Sequence, residues 1–187
     1  MTGRIAPCAA ALVLLGAAAL VPAVPTAEGP PPGYSGGFGE PTCVVCHVGN
    51  EVNAFDGRVT LEGLPPRYEP GAAYPLTVVL EAEGTAVAGF QITARHAVGT
   101  ARGANAGRLE PAEPRVAVTD SAGVSYAHQS REGSVPGSGD RASWTVVWVA
   151  PAGGPVAFHV AANSGNADNS PLSDLVYTTE IVVPPGG

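Results

Sequence analysis

The chain has no lysine, and what it lacks rules out several classes of protein. All nine basic residues are arginines, charged residues make up only 13% of the 187 residues, and the formal net charge is −7. Because no run or stripe of basic residues occurs, binding to a nucleic acid backbone is not expected. Three cysteines are too few for a small disulfide-stapled fold. The 25 glycines and 19 prolines also disfavour a helical bundle or a polytopic membrane protein.

Residues 1–23 are typical of a secretory signal peptide. Arg4 gives a short positive region, residues 8–21 are apolar, and Val21-Pro22-Ala23 provides small residues before a cut after Ala23. An uncleaved membrane anchor is the alternative, but a membrane span needs about 20 apolar residues. We therefore expect cleavage, no stable membrane span afterwards, and an extracytoplasmic location (periplasmic, cell-surface or secreted). Cleavage removes Cys8 and leaves Cys43 and Cys46.

The mature chain divides into an irregular extension, a β-rich region and a short tail. Residues 24–56 are rich in glycine and proline, residues 57–183 alternate apolar runs with turn residues, and residues 184–187 form the tail. We predict loops at 99–113 and 163–173. The predicted strands are 57–62, 74–83, 87–97, 114–119, 123–129, 142–149, 155–162 and 174–183. This spacing predicts a single all-β sandwich of about seven to nine strands.

Alternate positions along the strands indicate which side chains share a face. Phe90, Ile92, Ala94 and His96 point to one side of their strand, and Gln91, Thr93 and Arg95 point to the other. Two further strands have equally clear apolar rows: Trp144, Val146 and Trp148 in one, and Val156, Phe158 and Val160 in the other. His159 lies opposite the second row.

The motif Cys43-Val44-Val45-Cys46-His47 is the signature of covalent haem attachment, C-x-x-C-H. Two thiols at this spacing can each add to one vinyl group of a single haem, and the adjacent histidine then lies under the iron. From composition, a chance occurrence is on the order of one in a thousand. Export agrees with this interpretation, since such attachment takes place outside the cytoplasm.

Two other roles for the cysteine pair remain open. A redox-active or structural disulfide is possible in an exported protein, although no strand-to-helix context follows the motif. A structural zinc ion needs four ligands, and Cys43, Cys46 and His47 provide three.

The sixth ligand of the iron is not fixed by the motif. Met1 is the only methionine, so a His/Met pair is excluded within the mature chain. The candidates are His96, His128, His159, water or a group from a partner.

Several segments resemble the bacterial Reeler-like domains, many of which are known as choice-of-anchor V proteins. These segments are GFQITAR (89–95), YAHQS (126–130), SWTVVWVAP (143–151), VAFHVAANSGNADNS (156–170) and DLVYTTEIVV (174–183). The resemblance covers about residues 29–183, including the Gly/Pro-rich lead with its C-x-x-C-H. It implies an immunoglobulin-like β-sandwich on an exported protein. The histidine that recurs in the family after Tyr-x matches His128, which implies His128 as the distal ligand. Such proteins usually end in a sorting or membrane segment, and this sequence stops without an apolar tail, so a secreted or periplasmic product is expected.

These features predict an exported monohaem c-type cytochrome that transfers single electrons and is a carrier rather than a catalyst. Its cofactor is one haem c, with Cys43 and Cys46 as thioether sites, His47 as the proximal ligand and His128 as the distal ligand. The negative net charge suggests a redox partner protein with a basic docking face. The alternative function is a cell-surface Reeler-like binding or assembly module in which haem is structural or absent. Peroxide reduction at an open sixth position is less favoured, because no distal acid/base pair is visible.

The loop from Asn163 to Asp174 also invites a calcium interpretation through Asn163, Asp168, Asn169 and Asp174. The EF-hand pattern is absent, however, and turns capped by Asn and Asp side chains explain such a loop without metal.

Overall fold

Nine β-strands account for the regular structure of the chain in a computed structural model, which describes residues 28–136 and 139–187. The predicted signal peptide lies outside the described residues. The strands are β1 (Arg58–Glu62), β2 (Ala73–Glu81), β3 (Val87–His96), β4 (Arg108–Pro111), β5 (Val116–Ser121), β6 (Val124–Gln129), β7 (Arg141–Val149), β8 (Val156–Gly165) and β9 (Leu175–Val183). The prediction of an all-β fold is confirmed.

The strands form two antiparallel sheets packed face to face. One sheet has the order β1-β2-β7-β4, and the other has the order β5-β6-β3-β8-β9. The helical segments of the described residues are two single 3-10 turns, Cys43–Val45 and Glu132–Ser134. Within the described ranges, no helix is long and apolar enough to cross a membrane.

Aromatic side chains from both sheets fill the space between them. Trp144 of β7 stacks on Phe90 of β3 with ring centroids 4.6 Å apart, and Trp148 meets Phe158 of β8 edge to face at 4.8 Å. All four rings are almost fully buried. Both indoles also satisfy their N–H groups, since they donate to the carbonyls of Gly133 and Ala106 respectively. The apolar rows read from the sequence are therefore the core.

Two segments predicted as loops contain strand. Arg108–Pro111 pairs with β7 as the edge strand β4, and its proline ends the pairing, as is usual at a sheet edge. Only Leu109 of this strand is buried, so its apolar signal is a single residue. β8 also continues through Asn163 to Gly165, because these residues pair with the beginning of β3.

The extension covers the outer face of the five-stranded sheet. Polar side chains on that face are buried rather than solvated: Gln91, Thr93, Arg95, His128 and His159. The carboxamide of Gln91 is bonded at both ends, since its Nε2 donates to the Pro31 carbonyl (2.9 Å) and its Oε1 accepts from the Tyr34 amide (2.6 Å). The sandwich therefore has a third, irregular layer.

A buried ion pair joins this layer to the sheet. Arg95 is only 8% exposed, and its Nη2 lies 2.8 Å from Glu40 Oε1. The hydroxyl of Tyr126 donates to the same Glu40 oxygen (2.5 Å), and Arg95 also lies over the ring of Phe38. Burial, together with the bond to the Glu40 carboxylate, raises the pKa of Tyr126 to about 12. Tyr126 is therefore a neutral donor at physiological pH.

Two glycines let the extension approach the sheet. A side chain on Gly37 would overlap the ring of His159, and one on Gly29 would overlap the ring of His128. Gly29 also has a φ of 109°, which other residues rarely adopt. The glycines of this segment therefore allow close packing, in addition to any freedom they give to the chain.

The first prediction concerns the Glu40–Arg95 pair. Glu40→Gln leaves the buried Arg95 guanidinium without its counter-charge, so we expect unfolding to become easier by about 3 kcal/mol. The control is Glu110→Gln, which breaks the exposed pair with Arg108 and is expected to cost less than about 1 kcal/mol. Urea denaturation followed by tryptophan fluorescence measures both. Equal losses in the two variants would contradict the role of Glu40.

Candidate functional site

The C-x-x-C-H motif is closed into a single turn. The amides of Cys46 and His47 both donate to the carbonyl of Cys43, at 3.1 and 2.8 Å. The turn begins after Thr42, whose hydroxyl accepts from the Val44 amide. This geometry brings Cys43, Cys46 and His47 together on one short segment.

Both thiols are free, and the environment of one of them argues against redox exchange. Cys43 and Cys46 are half-buried and form no disulfide. Burial raises the pKa of the Cys43 thiol to about 12, with a smaller contribution from the neighbouring Cys46. Disulfide oxidoreductases instead lower the pKa of their attacking thiol. Among residues 28–136 and 139–187, no three His, Cys, Asp or Glu side chains are grouped to bind a metal ion by themselves.

A buried carboxylate holds the imidazole of His47. Nδ1 of His47 lies 2.6 Å from Oδ2 of Asp174, 127 residues further along the chain. An ionised carboxylate only accepts hydrogen bonds, so the imidazole is the donor. Asp174 is 7% exposed, whereas the His47 side chain is 20% exposed. The bond therefore leaves Nε2 of His47 as the ring nitrogen for a ligand.

Backbone pairing fixes the two partners of this bond relative to each other. Val48 accepts from the Ser173 amide (2.8 Å) and donates to the Pro171 carbonyl (2.9 Å). Asn50 adds a side-chain bond to the Ser173 carbonyl at 2.9 Å. The segment after the motif is therefore attached to the loop before β9.

Apolar side chains remain exposed around the turn. Val45 lies within it, and Val48 is bridged to Leu172 on the neighbouring segment; all three are exposed. Grouped exposed apolar side chains commonly mark a surface that binds something. Together with two free thiols and an oriented imidazole, this surface fits a flat, largely apolar macrocycle.

An acidic cleft opens beside the His47–Asp174 pair. It has a volume of about 890 Å³ and is bordered by Asp174 and Asn50, with the exposed Phe55 at its edge. Its lining includes five carboxylates: Asp56, Glu81, Glu83, Asp140 and Asp174. Arg58 and Arg141 pair with Glu81, and His47 pairs with Asp174. Asp56, Glu83 and Asp140 therefore supply the negative charge that favours cationic groups.

The structure does not bring His128 to His47. His128 lies on β6, and its two ring nitrogens are bonded to Thr119 Oγ1 (3.0 Å) and the Gln129 carbonyl (2.8 Å). The loop that holds Asp174 leads into β9, and β3 and β8 lie between β6 and β9. Three strand spacings separate β6 from β9 by about 14 Å. Both ring nitrogens of His128 are thus engaged within the sandwich, and Gly29 packs on its ring, so we leave His128 out of the ligand set proposed below.

The other two histidines of the sandwich lie apart from the His47–Asp174 contact. His159 pairs in register with Glu180, six residues beyond Asp174, which corresponds to about 20 Å along a strand. Burial lowers the pKa of His159, although the nearby Glu180 opposes this shift. Its ring lies under Phe38 of the extension. His96 lies at the opposite end of the sheet, in register with Val156, which in turn pairs with Val183.

Side-chain caps account for the Asn/Asp-rich loop. The Asp168 amide donates to Asn166 Oδ1 (3.0 Å), and Asp168 Oδ1 accepts from the Ser170 amide (2.7 Å). These are the capped turns expected from the composition. Asp174 belongs to a different arrangement, since its carboxylate faces His47. Sequence reasoning named Asp174 only as a calcium candidate, and no local pattern links it to His47.

The fold resembles that of solved Reeler-type domains, and the match with a TM-score of 0.50 supports it. The Reelin-N domain of F-spondin matches with a TM-score of 0.50 and 15% identity, covering 78% of this chain and 96% of that one. The human F-spondin reeler domain matches with a TM-score of 0.47 and 17% identity, covering 75% and 97%. No protein-family profile and no curated protein sequence matches the chain. The chain therefore has a Reeler-like β-sandwich fold, and at this identity the similarity extends to the fold alone.

Proposed function

We propose that this chain is an exported, monohaem c-type cytochrome-like protein that carries single electrons. The observation that carries the proposal is the closed turn of the C-x-x-C-H motif. It presents two unpaired thiols and an imidazole whose Nδ1 is already engaged. This donor set is the one that covalent haem attachment requires.

Each residue of the motif has a distinct task in this proposal. Cys43 and Cys46 would hold the haem through two thioether bonds, each formed by addition of an S–H across one vinyl group, with the hydrogen going to the other vinyl carbon. His47 provides Nε2 to the iron. Haem iron supplies a one-electron couple when it is bound. Val45, Val48 and Leu172 offer apolar surface beside the turn.

The sixth position is proposed to be open to water or to a group from a partner. His96 lies at the opposite end of the sheet, both ring nitrogens of His128 are bonded, and the extension packs over His128 and His159. An open position also admits small exogenous ligands.

The proposed partner is a redox protein with a basic docking face. The net charge of −7 attracts such a partner at long range, and the acidic cleft beside His47 concentrates that attraction near the motif. Complementary charge of this kind mainly accelerates encounter.

The second prediction tests haem attachment. Expressed in a host with cytochrome c maturation, the wild-type protein should give a haem-stained band on a denaturing gel. Cys43→Ser with Cys46→Ser should abolish the stain, because no thioether can form. Cys8→Ser is the matched control and should stain normally, since Cys8 lies in the expected signal peptide. A colourless wild-type band would overturn the proposal and favour the Reeler-like binding or assembly module.

The third prediction concerns the ligands of the iron. Visible and near-infrared spectra of His96→Ala, His128→Ala and His159→Ala should match the wild type. His128 is bonded through both ring nitrogens, His159 is covered by Phe38, and His96 lies at the opposite end of the sheet. His47→Ala should change the spectrum, and added imidazole should change that of the wild type. If His128→Ala alone alters the ferric spectrum, the His47/His128 pair predicted from the sequence is correct.

The fourth prediction concerns the acidic cleft. The rate of electron exchange with cationic hexaammineruthenium should fall as salt is added, and the rate with anionic ferricyanide should rise. Glu83→Gln in the cleft should slow the cationic reaction more than Glu132→Gln, which removes the same charge from a residue that does not line the cleft. Equal effects of the two variants would place the docking charge elsewhere.

A further inference from the structure

Asp174 is a buried carboxylate whose position depends on several independent contacts. It is 7% exposed, and its Oδ2 lies 2.6 Å from His47 Nδ1. A side chain on Gly165 would come within 3.2 Å of its Oδ1, so the glycine leaves room for the carboxylate. The preceding Ser173 has a φ of 68° and is bonded to Val48. The chain thus adopts an unfavourable backbone conformation next to this carboxylate, and the bond to Val48 holds that conformation in place.

The length of the chain between the partners indicates that the contact belongs to the tertiary fold. His47 is on the extension and Asp174 is at the start of β9, 127 residues later. As a simple ion pair, one contact with a partly exposed partner would contribute little stability. The same carboxylate placed behind an imidazole has a stronger effect, because it fixes which ring nitrogen carries the proton and how the ring is oriented.

We propose that Asp174 is the positioning residue for the haem ligand His47. It holds the proton on Nδ1, directs Nε2 to the iron, and increases the electron donation of the imidazole. The added electron density favours the ferric state, so Asp174 lowers the reduction potential. This inference rests on the proposed function and adds a residue outside the attachment motif.

The test compares Asp174→Asn with Asp168→Asn in the haem-loaded full chain. Asn keeps the size of the side chain and an oxygen acceptor but removes the charge. Loss of an outer partner of this kind changes metal binding by about 10-fold to 100-fold. A tenfold loss of preference for the ferric state equals about 59 mV for one electron. We expect the midpoint potential of Asp174→Asn to rise by at least about this amount and that of Asp168→Asn to stay near the wild type. Asp168 is exposed in the same loop, so it controls for charge alone.

A second measurement does not need haem. In wild-type protein produced without the maturation system, nitrogen NMR should show the His47 proton on Nδ1, and Asp174→Ala should remove this preference. This measurement also decides the matter if Asp174→Asn fails to fold or to mature.

The outcomes separate the two proposals. A colourless wild-type protein overturns the proposed function, and the inference falls with it. If the wild type binds haem, but Asp174→Asn and Asp168→Asn shift the midpoint potential equally or not at all, the role of Asp174 alone is overturned. A wild-type His47 proton on Nε2 also overturns it.

Discussion

The pairing of Arg95 with Glu40 is the interaction on which the arrangement of the whole molecule depends. Arg95 lies on the outer face of the five-stranded sheet, where a cation has to be either solvated or paired. The extension buries it and provides Glu40, so the two segments are stable only together. Because the motif at residues 43–47 begins three residues after Glu40, the interaction that covers the sheet also fixes the position of the segment that leads into the motif.

The sequence predicted the sandwich well because its core is periodic. Alternate positions around Phe90, Trp144 and Phe158 carry a clear apolar signal, and the structure buries these residues between the two sheets. The short strand β4 was missed because one buried residue, Leu109, gives no period. The packed extension was also missed, because its contacts are polar and join residues more than fifty positions apart, as in the bonds from Gln91 to Pro31 and Tyr34.

The residues of the candidate site also fall into two groups: those related by sequence spacing and those brought together only by the fold. Cys43, Cys46 and His47 were found because their chemistry depends on spacing within five residues. The assignment of His128 illustrates the limit: it came from a family resemblance, and neither that resemblance nor strand parity gives the distance of a side chain from His47. Asp174 was not linked to His47 at all, since only the pairing of the extension with the loop before β9 brings the two together.

The extension is therefore attached on both sides of the motif. Glu40 is held before it by Arg95 and Tyr126, and Val48 and Asn50 are held after it by the loop that carries Asp174. A motif fixed at both ends loses less conformational freedom when it binds a group than one on a free linker. This glycine-rich segment has the composition of a flexible linker, but its contacts with the sheet beneath it fix its conformation.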